Sequence, residues 1–189
     1  MQQPPSRASV SALRAKSAAA PRTRMYGLSL VQSVIAAILA RVSAENVEVV
    51  GHWLETLSAT PEDARTSAAD FWDADADYYP VRKFPEAQPC HGRGEVIQFL
   101  VGYMEAWSGY DYAVQDLVQV GDDRVLVCAT LRAEGRGSGM RLEGELYHCI
   151  WLRHGRFFRV EDHLTLRGAL HALGLKGETL QAAGLRDEQ

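Results

Sequence analysis

The sequence predicts an α+β fold: a cone-shaped, curved antiparallel β-sheet wrapped on one face by N-terminal helices. Three observations carry this reading. Helical periodicity fills the first part of the domain and period-two alternation fills the second. The longest alternating stretch, Met140–Leu166, turns back on itself at Arg153-His154-Gly155 as a β-hairpin. The order of helices, one strand, one helix, four strands and a short closing helix sets a helical layer against one sheet face.

Ser43 caps a first helix over 44–58, with Val47, Val50, Leu54 and Leu57 as its apolar stripe and Trp53 at the border. Thr60-Pro61-Glu62-Asp63 starts a second helix: Thr60 as N-cap, Pro61 in the first turn and Asp63 closing a capping box. That helix ends near Trp72. Asp75–Val81 is a short strand, and Pro85 and Pro89 break the loop after it. A third helix runs from Arg93 to Trp107, with Val96, Leu100, Tyr103 and Trp107 on one face and Ile97 and Met104 beside them. Strands follow at Tyr110–Val120 and Arg124–Glu134, joined by Gly121-Asp122-Asp123. Gly135–Gly139 is glycine-rich but is not a phosphate loop, since no helix or Lys-Ser/Thr pair follows it. Thr165 caps a closing helix, Leu166–Leu173, that Gly174 stops.

The hairpin carries the chemistry. A three-residue loop with Gly155 in the left-handed conformation sets His148 opposite Val160 and Leu146 opposite Asp162. One face then holds Leu142, Leu146, His148, Ile150 and Leu152 with Phe158, Val160, Asp162 and Leu164. The other holds Tyr147, Cys149 and Trp151 against Phe157, Arg159, Glu161 and His163. A histidine and an aspartate, one diagonal step apart, interrupt an otherwise apolar face. A one-residue slip would exchange the faces and put Glu161 and His163 inside instead. The aromatics of the second face read as a sheet-to-sheet dimer interface.

Charge is unevenly spread. The formal net charge is −4 over 189 residues. Residues 1–44 hold six Lys/Arg and no acid, so the 14 basic and 24 acidic side chains of residues 45–189 leave that part at −10. An acidic domain without a basic stripe argues against nucleic acid or an anionic membrane surface as partner. Cys90, Cys128 and Cys149 form no C-x-x-C pair, which suits a reducing, cytoplasmic setting and neither a disulfide framework nor zinc. Met25–Ala40 is apolar but shorter than the roughly 20 residues a spanning helix needs. With Arg22 and Arg24 before it and small residues after it, Met25–Ala44 has a signal-like pattern that implies export. The competing and favoured reading takes the segment as an extra helix or as an upstream stretch wrongly included with the gene, residues 1–24 being disordered, so that 1–42 is an N-terminal extension. The domain itself covers 43–175, and 176–189 is a tail.

The order of elements and several strings resemble the SnoaL-like branch of the nuclear transport factor 2-like superfamily. The strings are Ala44–Val50 (AENVEVV), Gly92-Arg93-Gly94, Gly121–Val125 (GDDRV), the arm ending in His148, and Ala169–Leu175 (ALHALGL). The resemblance implies a cone with a pocket between sheet and helices, usually in a homodimer. Members include polyketide cyclases, a steroid isomerase, an epoxide hydrolase, dehydratases and non-catalytic binding proteins, so the fold alone does not assign a function. In cyclase-type members a last-strand aspartate acts as base, with histidine two positions before it. Asp162 matches that aspartate; Val160 stands where the histidine would be, and His148 is the nearest imidazole.

These readings converge on a small-molecule pocket, open to a small apolar carbonyl or epoxide and worked without a cofactor by a carboxylate base. Asp162 and His148 are the candidate catalytic pair. Tyr79, Tyr103, Trp53, Trp72 and Trp107 are the candidate ligand-binding residues, and one of Tyr78 and Tyr79 must point inward. No trio of ligands has metal-site spacing. The alternative is a non-catalytic ligand-binding protein or dimeric scaffold, with Asp162 and His148 satisfied in a filled core.

Overall fold

The computed structural model describes residues 44–57, 60–81 and 87–175. The Ser43 cap, the signal-like segment, the Pro85 loop and the tail lie outside them. Two helices, α1 (Ala44–Leu57) and α2 (Pro61–Phe71), lead into strand β1 (Trp72–Tyr79). A two-residue strand, β2 (Cys90–His91), precedes helix α3 (Gly92–Ala106). Strands β3 (Trp107–Val120), β4 (Arg124–Gly135), β5 (Arg141–Arg153) and β6 (Arg156–His163) follow, then helix α4 (Leu166–Ala172). The capping chemistry at Thr60 is as expected: its hydroxyl oxygen accepts from the Asp63 amide at 3.1 Å and its proton goes to the Asp63 carboxylate at 2.7 Å.

One six-stranded sheet runs in the order β2-β1-β6-β5-β4-β3. It is mixed rather than wholly antiparallel, because β1 lies parallel to β6. That pairing follows from the chain reaching β1 before α3, so that β1 docks on the far side of the later meander. Irregularities between Ser108 and Asp111 and between Val114 and Asp116 disturb the β3–β4 ladder, and such bulges curl a sheet. The concave side buries Val50, Trp53, Leu54, Phe71, Trp72, Val125, Val127, Ile150, Phe157 and Val160 against the helices.

The hairpin differs from the expectation in a way that matters for the site. Its loop has two residues, His154 and Gly155, with φ of 53° and 72°, the pair of positive angles a type I′ turn uses. Leu152 pairs with Phe157, but Trp151 pairs with Arg159, so Phe158 is an extra residue in β6. The two-residue loop alone would have exchanged the faces from Arg159 onward. The bulge restores them, and it also advances the register so that His148 lies directly opposite Asp162. Phe157, expected on the outer face opposite Trp151, is instead in the core and fully buried. Phe158, expected inside, is half-buried under the Arg153 guanidinium, 5.2 Å from its ring centroid.

The outer sheet face is not the bare dimer surface expected. Helix α4 folds across it and buries Leu126, Cys128, Tyr147 and Cys149 together with Ala169, Leu170 and Leu173. The Cys149 thiol donates to the Ala169 carbonyl at 3.3 Å, and Arg124 donates to the Leu173 carbonyl at 2.6 Å, holding the helix at its middle and its C-terminal end. The face is apolar there because the chain covers it itself.

The bulge makes unequal neighbours of two adjacent phenylalanines. Phe157→Ala should cost about 3–5 kcal/mol of unfolding free energy, whereas Phe158→Ala should cost under about 1 kcal/mol. Urea denaturation of both variants checks this; the reverse ranking would mean that the simple three-residue register is the right one.

Candidate active site

Three strands converge on one carboxylate. In the parallel β1–β6 pair Tyr78 lies opposite Val160, so its ring shares a face with Asp162 two residues on. In the antiparallel β5–β6 pair His148 lies opposite Asp162 itself. The Tyr78 hydroxyl donates to Asp162 Oδ2 at 2.6 Å, and His148 Nδ1 meets Asp162 Oδ1 at 2.5 Å. The side chains of His148 and Asp162 are 8% and 4% exposed, so the pair is held out of water.

The pairing constrains where an open lone pair can lie. A carboxylate with donors on both oxygens is satisfied and oriented, and has little reason to take a proton from a third group. With Nδ1–H directed at Asp162, a neutral imidazole turns its Nε2 lone pair the other way. Nε2 is buried, with no hydrogen-bond partner among the described residues. Within this array the acceptor left without a partner among the described residues is therefore on His148, on the ring edge away from Asp162.

These groups floor a cavity of about 50 Å³. Trp53 from α1 and Tyr112 from β3 flank His148, with ring centroids 6.4 and 5.8 Å from the imidazole. Helix α3 supplies Phe99, Leu100, Tyr103 and Met104, and Pro80 and Leu146 complete the wall. Phe99 stacks along Tyr103 at 6.2 Å and meets Tyr78 edge-on at 5.4 Å. Burial and, after it, the nearby Asp162 carboxylate push the Tyr103 phenol up to about 12, with a bond from Trp107 offsetting part of this. Tyr103 thus keeps its proton at any physiological pH.

Of the residues expected to form the site, the structure brings Asp162, His148, Tyr103 and Trp53 together around this hollow. It does not bring Tyr79, which lies on the outer face with the Arg159 guanidinium 5.0 Å from its ring; Tyr78 is the inward tyrosine. Trp72 is fully buried behind the cavity, edge-on to Trp53, Tyr78 and Phe157, and serves as core. Trp107 leans on Tyr103 at 5.7 Å without lining the hollow. Glu161 and His163 stay on the outer face, where Glu161 takes the Arg159 guanidinium at 2.7 Å. Phe99 was missed, although its place one turn before Tyr103 on the same helix face was a readable signal. Among the described residues no group of three or more His, Cys, Asp or Glu is arranged to hold a metal ion. No described helix is long and apolar enough to cross a membrane.

A family model described as the SnoaL-like domain matches residues 50–162, a span that ends on Asp162. The chain belongs to the SnoaL-like family. Solved structures carry the fold further. A nuclear transport factor 2-like protein of unknown function from Burkholderia pseudomallei is 19% identical with a TM-score of 0.56, covering 70% of this chain and 98% of its own. A candidate SnoaL-like polyketide cyclase from Jannaschia is 16% identical with a TM-score of 0.54, covering 73% and 97%. A hypothetical protein with a ketosteroid isomerase-like fold from Catenulispora acidiphila, solved with trimethylamine, is 16% identical with a TM-score of 0.52, covering 68% and 94%. At these identities the likeness establishes the fold alone. No protein of curated function matches the chain.

Tyr103 gives the SnoaL-like domain a measurable alkaline signature. Its folded pKa, about 12, stands above the ordinary value of 10.0, so between the two the unfolded chain releases a proton that the folded chain keeps. Stability is complete below pH 10 and declines as pH rises towards 12. Tyr103→Phe should make that decline shallower in denaturant titrations at pH 10 to 12; parallel curves for the two proteins would place the phenol in water.

Proposed function

We propose that this SnoaL-like domain is a cofactor-independent proton-transfer enzyme of the isomerase, cyclase or hydrolase kind, acting on a small apolar carbonyl or epoxide compound. The observation that carries the reading is the buried Tyr78–Asp162–His148 array on the floor of an aromatic cavity. His148 Nε2 would take a proton from the carbon next to a carbonyl, leaving the electron pair delocalised onto the carbonyl oxygen. Tyr103, protonated, lines the cavity from α3 and would donate to that oxygen. Asp162 would stabilise the imidazolium that forms and keep its tautomer, while Tyr78 holds the far carboxylate oxygen. Return of the proton to another carbon completes an isomerisation; attack of the carbanion on a second carbonyl completes a cyclisation. In the epoxide variant the same nitrogen would deprotonate a water.

A second reading has its own support. About 50 Å³ is far below the roughly 300–1,000 Å³ of ordinary ligand sites, which suits a hollow filled mainly by its own side chains. On that reading the dyad ties strands together and turns nothing over. Homodimerisation is a separate proposal: helix α4 leaves uncovered the half of the outer face bearing Arg132, Glu143 and Glu145, all exposed. Such an interface would be polar, and sedimentation should give twice the chain mass at moderate salt.

Deuterium exchange decides between enzyme and filled core. Wild-type protein should accelerate exchange of the α-protons of cyclopentanone in D2O, followed by NMR. His148→Ala should slow it by about 10² or more, and Asp162→Asn by about tenfold or more, in variants whose melting curves show them folded. Wild-type rates equal to buffer, or full activity in His148→Ala, would remove the catalytic reading.

A further inference from the structure

The cavity has a chemical bias that a carbonyl ligand does not use. Five aromatic rings line it beside His148, and its only carboxylate is Asp162; none of its lining residues is Lys or Arg. Ring faces carry partial negative charge, so a guest that meets these rings face-on is favoured when it is a cation over a neutral molecule of equal size. The Asp162 charge has the same sign and is only 4% exposed, with donors on both oxygens but no full positive charge other than what His148 itself could carry.

The polar atom left over is also specific. In the neutral imidazole whose Nδ1–H faces Asp162, Nε2 is an acceptor, buried and with no partner among the described residues. Leaving a buried acceptor unmet is costly, so the site favours a guest that brings a donor. A ketone or a carboxylate brings an acceptor to that nitrogen. An alcohol brings a donor without charge, and a protonated amine brings both. The volume limits the guest: about 50 Å³ equals roughly four water-sized places, which admits an ion of only a few heavy atoms.

We propose that this cavity binds a small protonated alkylamine, its N–H donated to His148 Nε2 and its alkyl groups against Trp53, Phe99, Tyr103 and Tyr112. The inference rests on the dyad geometry used for the catalytic reading but needs no proton removed from carbon. An amine seated there occupies the base, so it is a competitor of any carbonyl substrate. The aromatic walls select its charge and His148 selects its donor.

Three near-isosteric probes separate these contributions on the full chain. Titration calorimetry should give tert-butylammonium a dissociation constant lower than that of tert-butanol by about tenfold or more, since the two differ only in the charged donor. Tetramethylammonium, which has charge but no N–H, should fall between them. In ¹⁵N-detected spectra of the wild-type protein, tert-butylammonium should move the Nε2 resonance of His148. Asp162→Asn should weaken the preference for the ammonium over the alcohol, leaving the part that the aromatic walls supply, without abolishing binding of the alcohol. Equal affinities for the two, no binding of either, or ammonium binding that leaves the His148 nitrogens unmoved would each overturn the proposal. Ketone exchange without ammonium selectivity would overturn it while leaving the catalytic reading standing, and selective binding without exchange would support it alone.

Discussion

A carboxylate taken out of water must find donors, and in this chain that requirement ties three strands to one point. Asp162 on β6 has Tyr78 of β1 on one oxygen and His148 of β5 on the other. Neither partner is near it in sequence: 84 residues separate Tyr78 from Asp162, and 14 separate His148. Both contacts exist only if β1 pairs parallel to β6 with Tyr78 at Val160, and β5 pairs antiparallel with His148 at Asp162. A shift of one residue in either ladder would turn one donor to the outer face. The remaining charge would then be buried with half its partners, a state costing several kcal/mol. The array thus specifies register as well as offering chemistry, whichever of the two its origin was.

Register is also where the sequence was hardest to read. Alternation showed that His148 and Ile150 share a face of one arm and that Val160 and Asp162 share a face of the other, because parity is a local property of each strand. It could not show how the arms align, because a glycine at the turn is compatible with a loop of two residues or three. Here the two-residue turn at His154-Gly155 and the extra residue at Phe158 offset one another in parity. The face assignments beyond the bulge survived, while Phe157 and Phe158, between the turn and the restored ladder, were read the wrong way round. A bulge has no composition of its own, and only the competition between a fully buried Phe157 and a half-buried Phe158 reveals which one the core prefers.

The same distinction separates the aromatic residues that were placed correctly from those that were not. Trp53 and Tyr103 lie on helices whose inward faces can be counted off by period, and both line the cavity. Tyr78 and Tyr79 lie on a strand whose neighbour was unknown, so parity left two answers, and the pairing of β1 with β6 chose Tyr78. Trp72 and Trp107 sit at helix-to-strand junctions, where the period changes and neither count applies. The open outer face was misread for a different reason. An aromatic sheet surface calls for a cover, but pattern alone does not distinguish a second subunit from the chain's own last helix. Seven residues of α4 suffice for Tyr147 and Cys149 because Arg124 and the Cys149 thiol fix its two carbonyl contacts.

What divides acid from base in the dyad is a matter of geometry rather than residue type. An aspartate on an apolar strand face invites the role of base, and it would hold that role with one oxygen directed at the cavity. Here both oxygens are engaged, and the tyrosine on the second is supplied by a strand the hairpin does not contain. Satisfying the carboxylate therefore moves the open lone pair one residue away, onto Nε2 of His148, where aromatic walls surround it and no lysine or arginine lines the cavity. A site so arranged holds the imidazole acceptor in a hollow whose lining includes one carboxylate and no lysine or arginine. The preference for a donor proposed above, whether a C–H acidified by a carbonyl or an N–H on a cation, rests on that placement and on the small volume left beside it.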